Sequence, residues 1–425
     1  MQANSVIQYP TTEPGADAMM NASAERSLAG LRIIMVGNLE FGGTERQALQ
    51  LAQYLTDEEK VKVEFWGLGA EDGVVSKAFE SLGVPWRVVP VNWFTQWKGG
   101  KVWDLARLTL ALRRARPDVI LSYLIVPNVA CGLVWRWTGA RLCIWNQRCA
   151  GFSRLGARVE QLAVQRVPWF VSNSQAGAEF LTGTLGAPSD RVRVIHNGIQ
   201  LAKPGLDRTA WRKELGLNDD TFAVCMVANL NIYKDHKTLL RSWKFVIDKL
   251  ESEGRSAVLL LAGRYNDEVD ALKAMAFELN LGSQSVRFLG RVQDVSGLLG
   301  ASDLTVLSSP SEGSPNAILE AMAMGLAAVG TDNPGMREVL GPDGYQFLAP
   351  PGDAEALAER ILRFATDHSL REKVGAANKQ RVAEEFNPRR TCRQMASVIV
   401  EGLQEKKFPV NHPVQNHPQP CHSQK

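Results

Sequence analysis

No uninterrupted apolar run of about 18 residues occurs in the 425-residue chain, which excludes a membrane-spanning helix. The basic-then-apolar layout of a secretory signal is missing, and the first strongly apolar stretch, residues 31–37, runs into a glycine turn as a strand does. Six cysteines, at 131, 143, 149, 225, 392 and 421, show neither metal-like nor disulfide-like spacing. They read as reduced thiols of a cytoplasmic protein. No Lys/Arg-rich stripe or nucleic-acid reader motif is present, so nucleic acid is not an expected partner. No Gly-x-Gly-x-x-Gly follows the first strand, which argues against a dinucleotide oxidoreductase. No Asp-x-Asp pair stands near a strand end, and no metal or other cofactor is expected.

What is present is the composition of an ordinary globular protein, 45% hydrophobic and 22% charged, at a length that calls for two domains. Short β-branched runs alternate with amphipathic stretches, the pattern of βαβ units and parallel sheets. Strands are expected at 31–37, 61–67, 85–90, 118–124, 141–146, 168–173 and 192–196, with helices such as 44–55, 102–115 and 153–166 between them. The pattern breaks near Pro204-Gly205 and restarts with strands at 222–228, 257–262, 286–289, 304–308 and 327–330. Two α/β halves of similar size with a hinge near residue 205 follow. Residues 1–30 read as a disordered leader and 408–425, with four prolines and three histidines, as a solvated tail. The net charge of +3 hides a basic first half: 31–204 carries 21 Lys and Arg against 14 Asp and Glu, which favours anionic partners.

The chemistry concentrates in residues 308–325, Ser-Ser-Pro-Ser-Glu-Gly-Ser-Pro-Asn-Ala-Ile-Leu-Glu-Ala-Met-Ala-Met-Gly. A buried-type strand ends in a Ser/Pro/Gly loop carrying Glu312, and a helix is expected to start at Pro315 and hold Glu320 on its second turn. Ligands of open α/β sheets bind beyond the carboxyl ends of strands, where this loop falls. Amides at the helix start can donate to sugar hydroxyls or anions, and a carboxylate on the helix can accept two hydrogen bonds from a ribose diol. Glu312 also suits the helix dipole without any ligand. Glu320 stands among Ala317, Ile318, Leu319, Ala321 and Met322, where an ionised group calls for a partner.

The Glu-x7-Glu spacing within Pro-Ser-x-Glu-Gly-x-Pro-Asn…Leu-Glu-Ala-Met-Ala-x-Gly resembles the donor-site motif of glycosyltransferase family 4. Other landmarks fall in the order of that family. Gly42-Gly43-Thr44-Glu45-Arg46 resembles its first-strand glycine loop, residues 192–199 its approach to the hinge, 229–236 its phosphate-binding loop, and 288–292 its base-binding turn. The resemblance covers about residues 31–405.

It implies a GT-B architecture of two Rossmann-like domains facing a cleft. The acceptor-side domain would span 31–204, the nucleotide-sugar domain 205–388, and a C-terminal helix, 389–407, would return to the first domain. It further implies that Glu320 holds the ribose hydroxyls, that Glu312 lies near the transferred sugar's ring hydroxyls, and that the backbone of Gly313, Ser314, Pro315 and Asn316 contacts that sugar. Lys234 would neutralise the diphosphate, beside Asn229, while Gly43 would admit the phosphate closely and Gly290, Arg291 and Val292 would pass the base. Catalysis would rest on Glu312 and Lys234.

Two positions depart from the family. Asn229 stands where members often carry a second cation, unless Arg264 or Arg291 compensates. Ser122-Tyr123 stands where many have an acceptor-side histidine, and His196 at the hinge reads as structural. Trp93, Phe94 and Trp97 in a loop with Lys98 and Lys101 suggest contact with an anionic membrane, whereas Trp103 and Trp135 are expected in the core. The expected function is retaining, metal-independent transfer from a nucleotide-diphosphate sugar to a lipid-linked or surface-glycan acceptor at the inner membrane face. The alternatives are a GT-B enzyme such as a sugar-nucleotide epimerase, or an inactive GT-B scaffold that binds nucleotide or glycan.

Overall fold

The computed structural model describes residues 28–39, 42–69, 74–91, 98–151, 155–266 and 268–405. Trp93, Phe94 and Trp97 lie outside them, as do the leader up to residue 27 and the tail from 406. Two all-parallel sheets form. The first runs in the order β3-β2-β1-β4-β5-β6-β7 through β1 (Arg32–Gly37), β2 (Lys62–Gly67), β3 (Trp86–Val88), β4 (Val119–Tyr123), β5 (Leu142–Gln147), β6 (Trp169–Ser172) and β7 (Val192–Val194). The second runs β10-β9-β8-β11-β12-β13 through β8 (Phe222–Val227), β9 (Ala257–Ala262), β10 (Val286–Gly290), β11 (Leu304–Leu307), β12 (Ala327–Thr331) and β13 (Leu348–Ala349).

The central strands are apolar throughout because helices cover both faces of each sheet. Ala257–Ala262, Ala-Val-Leu-Leu-Leu-Ala, is buried at every position. Each sheet therefore has a core on either side, with Trp66, Trp145 and Phe170 among the fillers of the first and Trp243, Phe347 and Phe364 among those of the second. Both sheets reverse strand order once, between β1 and β4 and between β8 and β11. Crevices open at such switch points beyond the strands' carboxyl ends.

Strand β13 was not expected; two residues leave no periodicity to read. Leu28 belongs to the first core, so ordered structure starts inside the expected leader. Trp135 is buried and donates from Nε1 to the Arg166 carbonyl at 2.8 Å, as a core ring should. Trp103 is 69% exposed instead, because the helix Lys98–Ala115 buries Leu108 and Leu112 and turns position 103 outward.

The last helix, Pro388–Gln404, crosses back and buries Cys392, Met395, Ala396, Val398 and Ile399 in the core of the first sheet. Asn387 caps it by accepting from the amides of Arg389 and Arg390. Gly198 seats it: a Cβ there would lie 2.4 Å from the Pro388 Cα. Ile399 is fully buried, so Ile399→Ala is expected to cost about 2–5 kcal/mol. The urea midpoint of unfolding, followed by tryptophan fluorescence, checks this; an unchanged midpoint would mean the helix adds nothing to the first core.

Candidate active site

A cleft of about 930 Å³ separates the sheets, and its walls come from segments that follow strands. Asn38 and Leu39 follow β1, Arg148 follows β5, Asn173 follows β6, Asn197 follows β7, Asn229 follows β8, Arg264 follows β9, Arg291 and Val292 follow β10, and Glu312 to Glu320 follow β11. Lys234 and Glu312 thus arise from the two strands that flank the switch point of the second sheet.

The loop after β8 is tied by its own side chains. Asn231 accepts from the Tyr233 amide at 3.1 Å, and Asp235, left-handed at φ +46°, caps the helix His236–Ser252 through the Thr238 amide. Ser308 Oγ donates to the Lys234 carbonyl at 2.9 Å, fastening this turn to the end of β11. Lys234 Nζ then meets Glu312 Oε1 at 2.5 Å. His236 sits buried behind the turn, its pKa pushed down to about 4 by burial and by Lys234.

The loop after β11 is held from the other side. Thr331 Oγ1 and Asn333 Nδ2 both donate to the Ser309 carbonyl, and Gly335 packs on the carbonyls of Glu312 and Gly313. Pro315 occupies the cap and the helix runs Asn316–Ala323, so it begins one residue later than expected. Pro315 φ is −74° with ψ of 97°, an extended conformation that turns the chain into the helix. Gly313 faces Cys149 and Ala150 of the opposite domain rather than the open cleft; a Cβ would lie 3.3 Å from the Cys149 Cα.

Glu320, 6% exposed, projects from this helix into the cleft wall. Its carboxylate accepts from Arg46 Nη1, which reaches across from the helix Gly43–Asp57. Burial holds the Glu320 pKa above the usual carboxylate range, and Arg46 pulls it back part of the way. Beside this pair the two domains nearly touch. A Cβ on Gly43 would fall 2.3 Å from Asn316 Nδ2, so a side chain there would have to push the Asn316 amide aside. The N-termini of the two helices therefore face each other across the cleft, a pairing that attracts anions.

Of the other expected site residues, Asn229, Arg291 and Val292 line the cleft, as does Arg264. Asn229 Oδ1 accepts from the Arg264 amide at 3.2 Å, so it shapes the backbone and brings no charge. Gly290 is left-handed at φ +64° and packs against the Tyr265 ring, setting the turn without lining the space itself. Ser122 and Tyr123 are each 1% exposed and do not line the cleft, which corrects their expected acceptor-side position. They end the central strand β4, and the Arg148 guanidinium lies over the Tyr123 ring, 5.4 Å from its centre. His196 is a cross-domain tie: Thr391 Oγ1 donates to its carbonyl and its ring packs on Phe386.

Two cations went unassigned in the sequence. Arg46 lay inside a quoted motif, but its acidic partner is 274 residues away. Arg148 donates to Asn197 Oδ1 at 2.9 Å, and Asn197 Nδ2 donates to Asn316 Oδ1 at 2.7 Å, a relay from β5 to the helix bearing Glu320.

Two parallel-sheet domains facing each other across a cleft define the GT-B class. Among solved structures, Anabaena HepE with UDP and glucose superposes with a TM-score of 0.75 at 20% identity, over 87% of this chain and 100% of that one. A glycosyltransferase of Rickettsia africae gives 0.75 at 18%, over 88% and 99%. These likenesses show the shared fold. The family model for glycosyltransferase family 4 matches residues 41–203 and that for glycosyl transferases group 1 matches 207–381. The chain belongs to glycosyltransferase family 4. It is 24% identical over 227 residues to the N-acetyl-alpha-D-glucosaminyl L-malate synthase of Bacillus anthracis, covering 53% of this chain and 58% of that protein. It is 29% identical over 219 residues to the putative glycosyltransferase EpsD of Bacillus subtilis, covering 50% and 56%. The matched stretches thus span little more than half the length of these relatives.

A raised carboxylate pKa opposes folding at neutral pH. The unfolded chain ionises Glu320 more easily, so its contribution is intact below the ordinary carboxylate range and is lost as pH rises through the folded value. Glu320→Gln is therefore expected to melt at or above the wild-type temperature at pH 8, with the difference fading toward pH 4. Melting curves across that range check it, and a variant destabilised at pH 8 would contradict the direction.

Proposed function

We propose that the protein transfers a sugar from a nucleotide-diphosphate donor to a glycan or lipid-linked acceptor, with retention at the anomeric carbon and without a metal. The observation that carries this reading is the Glu312–Lys234 pair beside Glu320 at the switch point, opposite the Gly43 helix start. The ribose diol would donate to Glu320, the diphosphate would lie between the facing helix N-termini near Lys234, and the sugar would rest over Ser314 to Asn316. In the transition state the bond from the anomeric carbon to the diphosphate breaks and charge builds on the leaving oxygen. Lys234 is a compact cation suited to stabilise it. The acceptor oxygen forms the new bond, and its proton passes to the departing diphosphate. That route fits the lining, whose carboxylates among the described residues, Glu312 and Glu320, are each paired with a cation.

Anabaena HepE was solved with UDP, which makes UDP the first donor nucleotide to try. The test is a thermal-shift panel of UDP, GDP and their sugars: a donor at a hundredfold excess over its Kd adds about 2.7 kcal/mol of stability. Lys234→Ala is expected to lower kcat more than it raises KM, because leaving-group charge peaks in the transition state. A panel in which no nucleotide shifts the melt, or a Lys234→Ala loss confined to KM, would count against the respective step.

An acceptor held in a membrane calls for a docking face. Among the described residues no helix is long and apolar enough to cross a membrane. The helix Lys98–Ala115 directs Trp103, Arg107, Leu110 and Arg114 outward along one stripe, with Trp103 69% and Leu110 54% exposed. Trp137, 57% exposed, stands in the adjoining turn with Arg136 beside it and Arg166 over its ring. Rings and guanidiniums so arranged suit the inner, anionic membrane face, at about 1 kcal/mol per basic residue. Sedimentation with phosphatidylserine vesicles is expected to show binding that weakens with salt and weakens again in Trp103→Ala plus Trp137→Ala. Wild-type protein left in the supernatant at low salt would remove the physical basis for a membrane-held acceptor.

A further inference from the structure

Most groups assigned to the donor come from the second domain, and the first domain's wall of the cleft has polar groups that no donor role uses. Arg148 stands there, just after β5. It donates through Nη1 to Asn197 Oδ1, but its Nε is buried with no hydrogen-bond partner. No ion pair of the described residues includes it, and Glu45 acts on it only from a distance, more weakly than the Tyr123 hydroxyl. Burial pulls its pKa below the usual guanidinium range. A guanidinium so placed, with no carboxylate against it, calls for an anion.

Its neighbours are unsatisfied as well. Asn173, 3% exposed, follows β6, and its backbone amide donates to the Gln147 carbonyl at 3.1 Å, which holds it beside Arg148. Its side-chain Oδ1 is buried without a donor, and so is Ser314 Oγ on the facing wall. The two walls meet closely here: a Cβ on Gly313 would lie 3.4 Å from Asn173 Oδ1. Arg148, Asn173 and Ser314 all line the one cleft. Buried polar atoms are seldom left without a partner, and an orphan carbonyl oxygen beside an unpaired cation asks for a hydroxyl next to an anion. We propose that Arg148 and Asn173 recognise the acceptor, and that the acceptor is a hydroxyl-bearing anion, its carboxylate or phosphate seated on Arg148 and a hydroxyl donating to Asn173 Oδ1.

This rests on the donor reading above, which sets the sugar over Ser314 to Asn316, and goes beyond it by naming the charge of the acceptor. The electrostatics of the transfer favour such a partner. Positive charge develops at the anomeric carbon as its bond to the diphosphate breaks. A bare guanidinium facing the sugar from the other wall would oppose that step, since like charges repel strongly where water is excluded. A guanidinium already neutralised by the acceptor's own anion does not. The acceptor would thus complete the charge balance of the cleft as it binds.

The test is titration calorimetry on the full chain saturated with UDP, which fills the diphosphate site, with glucuronate, glucose 1-phosphate and neutral glucose as probes. One of the two anions is expected to bind the wild type about tenfold tighter than glucose, the size of one charge-assisted hydrogen bond, and which one it is separates a carboxylate acceptor from a phosphate. Arg148→Gln is expected to erase that preference, and Arg148→Lys, which keeps the charge, to recover part of it. Asn173→Ala should weaken all three probes, because it removes a hydroxyl's partner and no charge. Melting curves verify that the variants are folded, and the comparison of charged with neutral probes on the wild type stands without them. A wild type that prefers neither anion, or a preference that survives Arg148→Gln, would overturn the proposal. A loss of UDP affinity in Arg148→Gln as large as the loss for the anion would overturn it too, by giving the cation to the donor. The donor reading is tested separately by UDP alone: if UDP does not bind the wild type, that reading falls, while the anion preference measured without UDP still reports on Arg148.

Discussion

A carboxylate buried in a protein wall needs a cation, and among the described residues of this cleft both acids meet theirs: Glu312 with Lys234 from its own domain, Glu320 with Arg46 from the other. The first pair is local to the switch point. The second spans the cleft, so it ties a wall of one domain to a wall of the other. An ion pair of this kind contributes little net stability, since desolvation offsets most of its attraction.

The seam around that pair is polar and tightly fitted. Across it the Gln175 amide donates to Glu338 of the second domain at 3.0 Å. The Arg148–Asn197–Asn316 relay lies between. Such contacts re-form easily with water when a cleft opens, unlike a hydrophobic interface of the same size, so domain motion is the natural expectation.

How far the sequence could be read follows from the range of each signal. The buried parallel strands were legible because both faces demand apolar side chains, so β8, β9 and β11 stood out as continuous runs. The Glu312 loop was legible because its turn chemistry and its helix are contiguous. Trp103 misled because an aromatic on a helix is usually inward, and only the neighbouring Leu108 and Leu112 reveal which face is used. Ser122 and Tyr123 misled because a strand's last residue can point into the core or the cleft according to what the next strand's loop covers, here Arg148. Arg46 was visible and mute, since its meaning depends on a residue far along the chain.

The helix Pro388–Gln404 completes the core of the first sheet although it is made after the entire second sheet. During synthesis the usual order, first domain before second, cannot hold in full. The second domain has all its strands and can close while the first still exposes the apolar strip that Met395 and Ile399 will cover. The nascent chain thus carries an unfinished surface through most of its production, and the same late helix that finishes it brings the chain across the seam. Completion of the first core and docking of the two halves become one event, timed by the emergence of the last helix.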